Sequence, residues 1–321
     1  MFKVHKEISP NNVGLIEGKL KRNMSKFKEI KSTLEKTVKI GIVKSNLIPM
    51  FAGLTLAMFT YDYNLTEKIP EMIYATLGTA LIIAAAGAFN NIYDRDIDMI
   101  MERTKVRPTV TGDVSIKMTL WLAIIMTVLG VGSLALSTWL AALLGFLGLF
   151  LYVVPYTMWT KRRTIWNTEI GSLSGAVPPL IGWAAIYPDI SHPALLGLFV
   201  IAILWQMPHF YAIAIRRHDD YKAANVPMLP VVKGIKRTYY QTNVYLIIMI
   251  LASFLLGSLS IGLMLVGLLL GGLWLIISIV AFRQEDSKKW AKTLFIYSLL
   301  YMTVMFSTII IYSLMGIIFN L

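Results

Sequence analysis

The chain has 321 residues, is 56% hydrophobic and only 15% charged, and carries a net charge of +12. A soluble domain holds about a quarter charged residues, so a soluble globular enzyme is excluded; long uncharged stretches also exclude an outer-membrane barrel, whose strands are about 10 residues long and alternate polar with apolar. The absence of cysteine removes disulfides, thiolate metal sites and a cysteine nucleophile.

Residues 1–44 form a basic segment. Within it Ile16, Leu20, Met24, Phe27, Ile30, Leu34 and Val38 recur every three or four residues, which predicts an amphipathic helix lying on the cytoplasmic membrane surface. It has no apolar core or cleavage site, and Glu7, Glu17, Glu29 and Glu35 do not suit a transit peptide. Beyond it, residues 45–61, 72–93, 118–160, 170–188, 190–215, 238–282 and 293–321 contain no Asp, Glu, Lys or Arg. A span needs about 20 apolar residues, so 118–160 and 238–282 hold two helices each. Residues 45–321 are therefore predicted as an all-α integral membrane domain of nine transmembrane helices. With loops alternating across the membrane, 29 of the 30 Lys and Arg fall on one side and only Lys68 on the other. The positive-inside rule puts the N-terminus in the cytoplasm and the C-terminus outside. Charge gathered on a membrane-facing rim points to anionic lipid or an anionic substrate rather than nucleic acid.

The charges that break the pattern cluster at the cytoplasmic ends of three stretches. The second leaves the membrane with Asn90, Asp94 and Asp98 spaced four apart, which a continuing helix stacks on one face. Like charges at that spacing repel, and a hard cation such as Mg²⁺ with substrate phosphates as co-ligands would relieve them. Pairing with Arg95 and Arg103 is the simpler alternative. Arg103, Lys105 and Arg107 follow at once and suit a diphosphate, before Pro108 ends any helix. Next, Lys161-Arg162-Arg163 precede Glu169, whose expected partner is Arg162 or Arg163; the segment 171–176 is rich in small residues and allows close packing. Gln206 and His209 flank Pro208 inside the bilayer boundary, and either contact a polar substrate or a haem iron, or form an interhelical hydrogen bond at a kink. A second acidic pair, Asp219-Asp220, then meets Arg216, Arg217 and Lys222 on the same side of the membrane.

The strings NNIYDRDIDMIMERTKVRP (90–108), YTMWTKRRTIWNTEIGSLSGAVPPLIGW (156–183) and LWQMPHFYAIAIRRHDDYKAANVPMLPVV (204–232), in this order, resemble the UbiA-type intramembrane prenyltransferases, and within them the branch whose acceptor is haem. The resemblance implies helices around a central cavity opening to the cytoplasmic side of a bacterial plasma membrane. It implies transfer of farnesyl from farnesyl diphosphate to the 2-vinyl group of haem b, with water added. Asn90, Asp94 and Asp98 would hold Mg²⁺ with Asp219 or Asp220 opposite, and Arg103, Lys105, Arg107, Lys161 and Lys222 would neutralise the diphosphate. His209 and Gln206 would contact haem. Partners would be the two substrates, membrane lipids and haem A synthase or oxidase assembly proteins. The second motif departs from the family pattern: Ala223 and Ala224 stand four residues beyond the acids, and Asn225 replaces an expected Gly in what reads as a turn. Two rivals are a quinone-precursor prenyltransferase, disfavoured by the string around His209, and a transporter, which would place its polar groups near the midplane.

Overall fold

A backbone out of reach of water must satisfy its own amides, and every regular element among the described residues is helical. The structure, a computed structural model, describes residues 10–319, with side-chain surroundings from Met24 to Phe319. Helix α1 (Pro10–Thr37) carries Met24, Phe27, Ile30 and Leu34 exposed along one side, while Ile16 and Leu20 lie outside the described side chains. Lys39, in the left-handed conformation at φ 53°, breaks the chain before α2 (Ile40–Thr60). The break comes ahead of residue 44 because Lys44 is carried, exposed, on the first turns of α2.

The order continues with α3 (Ile69–Tyr93), the short α4 (Arg95–Ile100) and α5 (Pro108–Thr111), α6 (Ile116–Ala135), and α7 (Trp139–Leu151) running into a π-helix over Tyr152–Thr160. Then come α8 (Asn167–Gly175), α9 (Val177–Ile186), α10 (Pro193–Arg216), α11 (His218–Ala223), α12 (Leu229–Ala252) with a 3₁₀ turn at Ser253–Ser258, α13 (Ile261–Phe282) and α14 (Ser287–Phe319). The hydroxyls of Ser115 and Thr138 accept the Met118 and Ala141 amides at 3.1 and 3.0 Å, capping α6 and α7 where their first turns lack carbonyl partners.

Among the described residues eight helices are long and apolar enough to cross a membrane: α2, α3, α6, α7 with its π continuation, α10, α12 with its 3₁₀ turn, α13 and α14. Eight of the nine expected spans are thus long helices, and the stretch 170–188 is not among them. The stretch 170–188 is two helices of nine and ten residues, broken at Ala176, because Pro178 and Pro179 donate no amide to the turn before them. The pair nonetheless runs the depth of the bundle. At one end Asn167 donates to the Pro227 carbonyl at 3.3 Å, and at the other Tyr187 stacks at 3.6 Å on Tyr61, the residue that ends α2. Residues Val177–Ile186 are almost wholly buried. They pack backbone to backbone on α2: a Cβ at Gly53 would strike the Pro179 carbonyl, and one at Gly182 the Met50 carbonyl. Outward faces of α6, α7 and α13 expose Val128, Leu129, Trp139, Leu265 and Leu269, surface that only lipid covers cheaply. The chain is a multi-pass membrane protein.

Candidate active site

Asp94 is the junction of α3 and α4, and i→i−4 bonds tie it to both sides: the Asp94 amide donates to the Asn90 carbonyl at 2.9 Å, and the Asp98 amide to that of Asp94 at 2.8 Å. This keeps Asn90, Asp94 and Asp98 on one face, as their spacing predicts. All three are buried, at 2%, 0% and 1% exposure, so the charge of the two aspartates needs compensation from within the protein.

That compensation comes from cations that the sequence reading did not pair with these acids. Lys161 Nζ donates to Asp94 Oδ2, Arg162 Nη2 reaches Asp94 Oδ1 at 3.4 Å, and Arg107 Nη1 donates to Asp98 Oδ2. Arg162 also forks onto Asp96 with two bonds of 2.7 Å, which holds the Asp96 carboxyl below the usual carboxylate range. Asn90 donates to Asp94 at 2.6 Å and to the Thr157 hydroxyl at 3.2 Å. Lys39 Nζ donates to Asn90 Oδ1. Burial, with the Arg107 and Lys161 charges nearby, pushes the Lys39 ammonium well below its ordinary range. The left-handed break aims Lys39 inward, and Asn91 fixes it by donating to the Thr37 carbonyl at 2.8 Å. The π-helix, formed around Pro155, sets Thr157 against Asn90 and delivers Lys161 to Asp94.

Arg95 and Arg103, the expected neutralisers, are elsewhere. Arg95 Nε donates to the Thr109 carbonyl at 3.0 Å, which ties down the loop, and Arg103 is exposed. Lys105 pairs with Glu102 at 2.5 Å on the surface, and Lys222 is exposed. The segments that flank the two acidic motifs share an apolar cluster: Ile97 and Met101 beside the first bury against Ala214, Ala224, Val226 and Met228 around the second, with Tyr221 of α11 packed on them, but the acids themselves do not converge. There Asp219 is turned to solvent, its side chain 98% exposed and 3.2 Å from His218, while Asp220 is half-buried. Asn225 adopts φ 52°, so the turn needs a residue tolerant of the left-handed region, and asparagine serves where glycine was expected.

Gln206 donates to the Ser172 and Ala202 carbonyls at 3.1 and 2.8 Å, linking α10 to α8. His209 hydrogen-bonds Ser298 of α14 at 2.7 Å and stacks between Trp205 and Phe295. Both make interhelical links, and neither touches the acid ladder. Glu169 does not pair with Arg162, which is spent on Asp94 and Asp96, nor with Arg163, which is exposed; α8 turns it inward to Tyr211, Gln241 and Tyr245.

Oxygen donors on successive turns beside flexible cations suit a Mg²⁺–diphosphate pair. Among the described residues no three carboxylate or imidazole groups converge on one point, so phosphate oxygens would complete the ligand set, as Mg²⁺ prefers.

Residues 46–300 match the model of the UbiA prenyltransferase family. The chain is 68% identical to protoheme IX farnesyltransferase 1 of Bacillus cytotoxicus, over 89% of this chain and 94% of that protein. It is 62% identical to protoheme IX farnesyltransferase 2 of Lysinibacillus sphaericus, over 90% and 92%. Its fold matches a digeranylgeranylglyceryl phosphate synthase (TM-score 0.70, 16% identity, 89% of this chain and 99% of that one). It also matches a UbiA homologue from Archaeoglobus fulgidus bound to DMAPP and Mg²⁺ (TM-score 0.67, 15% identity, 86% and 99%). The chain belongs to the UbiA prenyltransferase family, in the group that holds the protoheme IX farnesyltransferases.

Proposed function

We infer that the chain transfers the farnesyl group of farnesyl diphosphate to the 2-vinyl group of haem b, with addition of water, and so makes haem O. The observation that carries the reading is the buried Asn90–Asp94–Asp98 ladder, ringed by Lys39, Arg107, Lys161 and Arg162 at one end of a bundle otherwise nearly free of charge. The haem acceptor rests on the two relatives named as protoheme IX farnesyltransferases.

Asp94, Asp98 and the Asn90 amide oxygen would hold Mg²⁺, and Asp220 of α11 is our candidate for the opposite side, reached through the phosphates rather than by direct convergence with the first acids. When bound, the metal neutralises charge that develops on the leaving diphosphate. Binding of Mg²⁺ and the diphosphate would exchange the present acid–cation pairs for acid–metal and cation–phosphate pairs. Lys161, Arg162, Arg107 and Lys39, which already contact the ladder, would take the phosphate oxygens, and Arg103, Lys105 and Lys222 would add positive charge from the exposed rim. Apolar helix walls shield the allylic cation from stray water. Gln206 and His209 are assigned to helix packing rather than to haem, since both are engaged between helices. With α8 and α9 counted as one crossing, nine crossings put the basic loops and N-terminus in the cytoplasm of a bacterial plasma membrane and the C-terminus outside. Haem A synthase or oxidase assembly proteins would take the product.

The test is the detergent-solubilised chain with haem b, farnesyl diphosphate and Mg²⁺, its pigments read by mass spectrometry. A haem product heavier by one farnesyl and one water is expected. Transfer only to a hydroxybenzoate or naphthoate would keep the diphosphate site and overturn the acceptor.

A further inference from the structure

One carboxylate stands among the helices away from the diphosphate pole. Glu169 Oε1 accepts from the Tyr211 hydroxyl, from Gln241 Nε2 at 2.8 Å and from the Tyr245 hydroxyl at 2.9 Å. Gln241 Nε2 also lies 2.9 Å from the Tyr211 hydroxyl oxygen and 3.2 Å from that of Tyr245. Every donor of this cage is thus turned to the same carboxylate oxygen or to another member of the cage. Two acceptors, Glu169 Oε2 and Gln241 Oε1, are buried with no donor at all. Gln241 is itself only 8% exposed.

A buried acceptor without a donor costs about 1–3 kcal/mol, and two in one cage call for a small ligand that brings hydrogens and little bulk. Water has that chemistry: two donors, and a lone pair left over. Met207, Leu229, Ile165 and Ile203 pack around Tyr211 and Tyr245, so a water bound at the two buried acceptors would sit against apolar walls on several sides. Its depth also fits. Tyr211 lies five residues inside Arg216, about 7 Å along the helix, and α8 carries Glu169 inward from the loop whose Lys161 grips Asp94.

We propose that Glu169 and Gln241 hold the water that hydrates the haem-side cation, and that the Glu169 carboxylate takes its proton as it adds. The proposal rests on haem farnesylation as the reaction. The farnesyl C1–oxygen bond breaks with its electron pair leaving on the diphosphate. The vinyl π pair forms the new bond to C1, which leaves the cation on the vinyl carbon next to the porphyrin. A water lone pair closes the carbon–oxygen bond and the released proton passes to Glu169 Oε2, then on to the departing diphosphate, with no change of oxidation state. Tyr211 and Tyr245 are positioning residues that hold Oε1 so that Oε2 faces the water. Without the base, the cation sheds a proton from its neighbouring carbon and the product is one water lighter.

The experiment compares wild type, Glu169→Gln and Gln241→Met in the full membrane-reconstituted chain with haem b, farnesyl diphosphate and Mg²⁺. It reads diphosphate release and the ratio of hydrated to dehydrated farnesyl-haem. A positioned base contributes about 10²-fold or more, so the ratio should fall about 10²-fold in Glu169→Gln while diphosphate release persists. It should fall in the same direction, by less, in Gln241→Met. An unchanged ratio in either variant overturns the proposal, and so does loss of diphosphate release in folded Glu169→Gln, which would place the residue in substrate binding or ionisation. Should Glu169→Gln fail to assemble, the Gln241→Met ratio alone decides. A wild-type chain that makes no haem product overturns the haem reading itself, which is a different result from hydrated product in every variant.

Discussion

Exchange of Asp94 for asparagine separates what the acid ladder does for stability from what it does for turnover. Asp94 is fully buried, and its counter-charges Lys161 and Arg162 are only 14% and 27% exposed. Breaking a buried pair from one side costs about 3–5 kcal/mol, because the remaining charge is left in a poor solvent. Arg162 keeps Asp96, so Asp94→Asn belongs at the low end, about 3 kcal/mol. Lys161→Met strands the carboxylate but leaves it Arg162, at about 2–3 kcal/mol. The double variant removes both charges and should sit within about 1 kcal/mol of wild type, a coupling of about 4 kcal/mol. Turnover should behave differently: each single variant and the double lose leaving-group stabilisation, and the rate of diphosphate release falls about 10²–10³-fold in all three. Denaturant unfolding followed by tryptophan fluorescence in detergent, beside single-turnover kinetics, measures both. Stability losses that simply add would refute the buried-pair account. Near-wild-type turnover in Asp94→Asn would refute the ladder as the diphosphate–metal site.

Arg107 grips buried Asp98 whereas Arg103 is exposed, so Arg107→Ala should slow diphosphate release about 10²-fold and Arg103→Ala far less; equal effects would move the phosphate contacts to the rim. His209→Ala should cost about 1 kcal/mol of stability through the lost Ser298 bond and leave the Soret band of bound haem in place; a shifted band would assign His209 to haem. His192 Nδ1 accepts the Ala194 amide at 3.2 Å as the cap of α10, and burial lowers its imidazole pKa. The folded state therefore favours the neutral ring, and the stabilisation is present above the ordinary histidine value and lost as pH falls below it. His192→Asn keeps a capping side chain and should remove that pH dependence, visible as parallel melting curves at neutral and mildly acidic pH. Fluorinated farnesyl diphosphate, which destabilises an allylic cation, should strongly slow the single-turnover rate; an unchanged rate would argue for direct displacement.

The spans and the acid ladder were legible because both are local patterns: runs without charge, and acids at a helical repeat that the chain keeps across the α3–α4 junction. The cations were harder. Lys39 sits 51 residues before Asn90, and only the left-handed break after α1 brings it there; within the sequence it is one more basic residue in a basic segment. Glu169 looked paired with Arg162 because the two are close in sequence, but the loop sends the arginine to Asp96 and the helix turns the glutamate the other way. Tyr211, Gln241 and Tyr245 stand on two other helices inside apolar runs, where no local pattern marks them as a set. The break at Ala176 had a visible signal in Pro178-Pro179, which the small residues before it overshadowed.

The seam between α2 and α9, where Gly53 and Gly182 let two backbones touch, also sets a timetable for biogenesis. Its halves are separated by roughly 130 residues, so at about 5–20 residues per second the ribosome finishes the second half some 6–25 s after the first. Until then the first span waits in the bilayer without its tightest partner. Contacts of such long sequence separation slow folding, so assembly of this bundle is gated by synthesis of its fourth charge-free stretch rather than by insertion of its first.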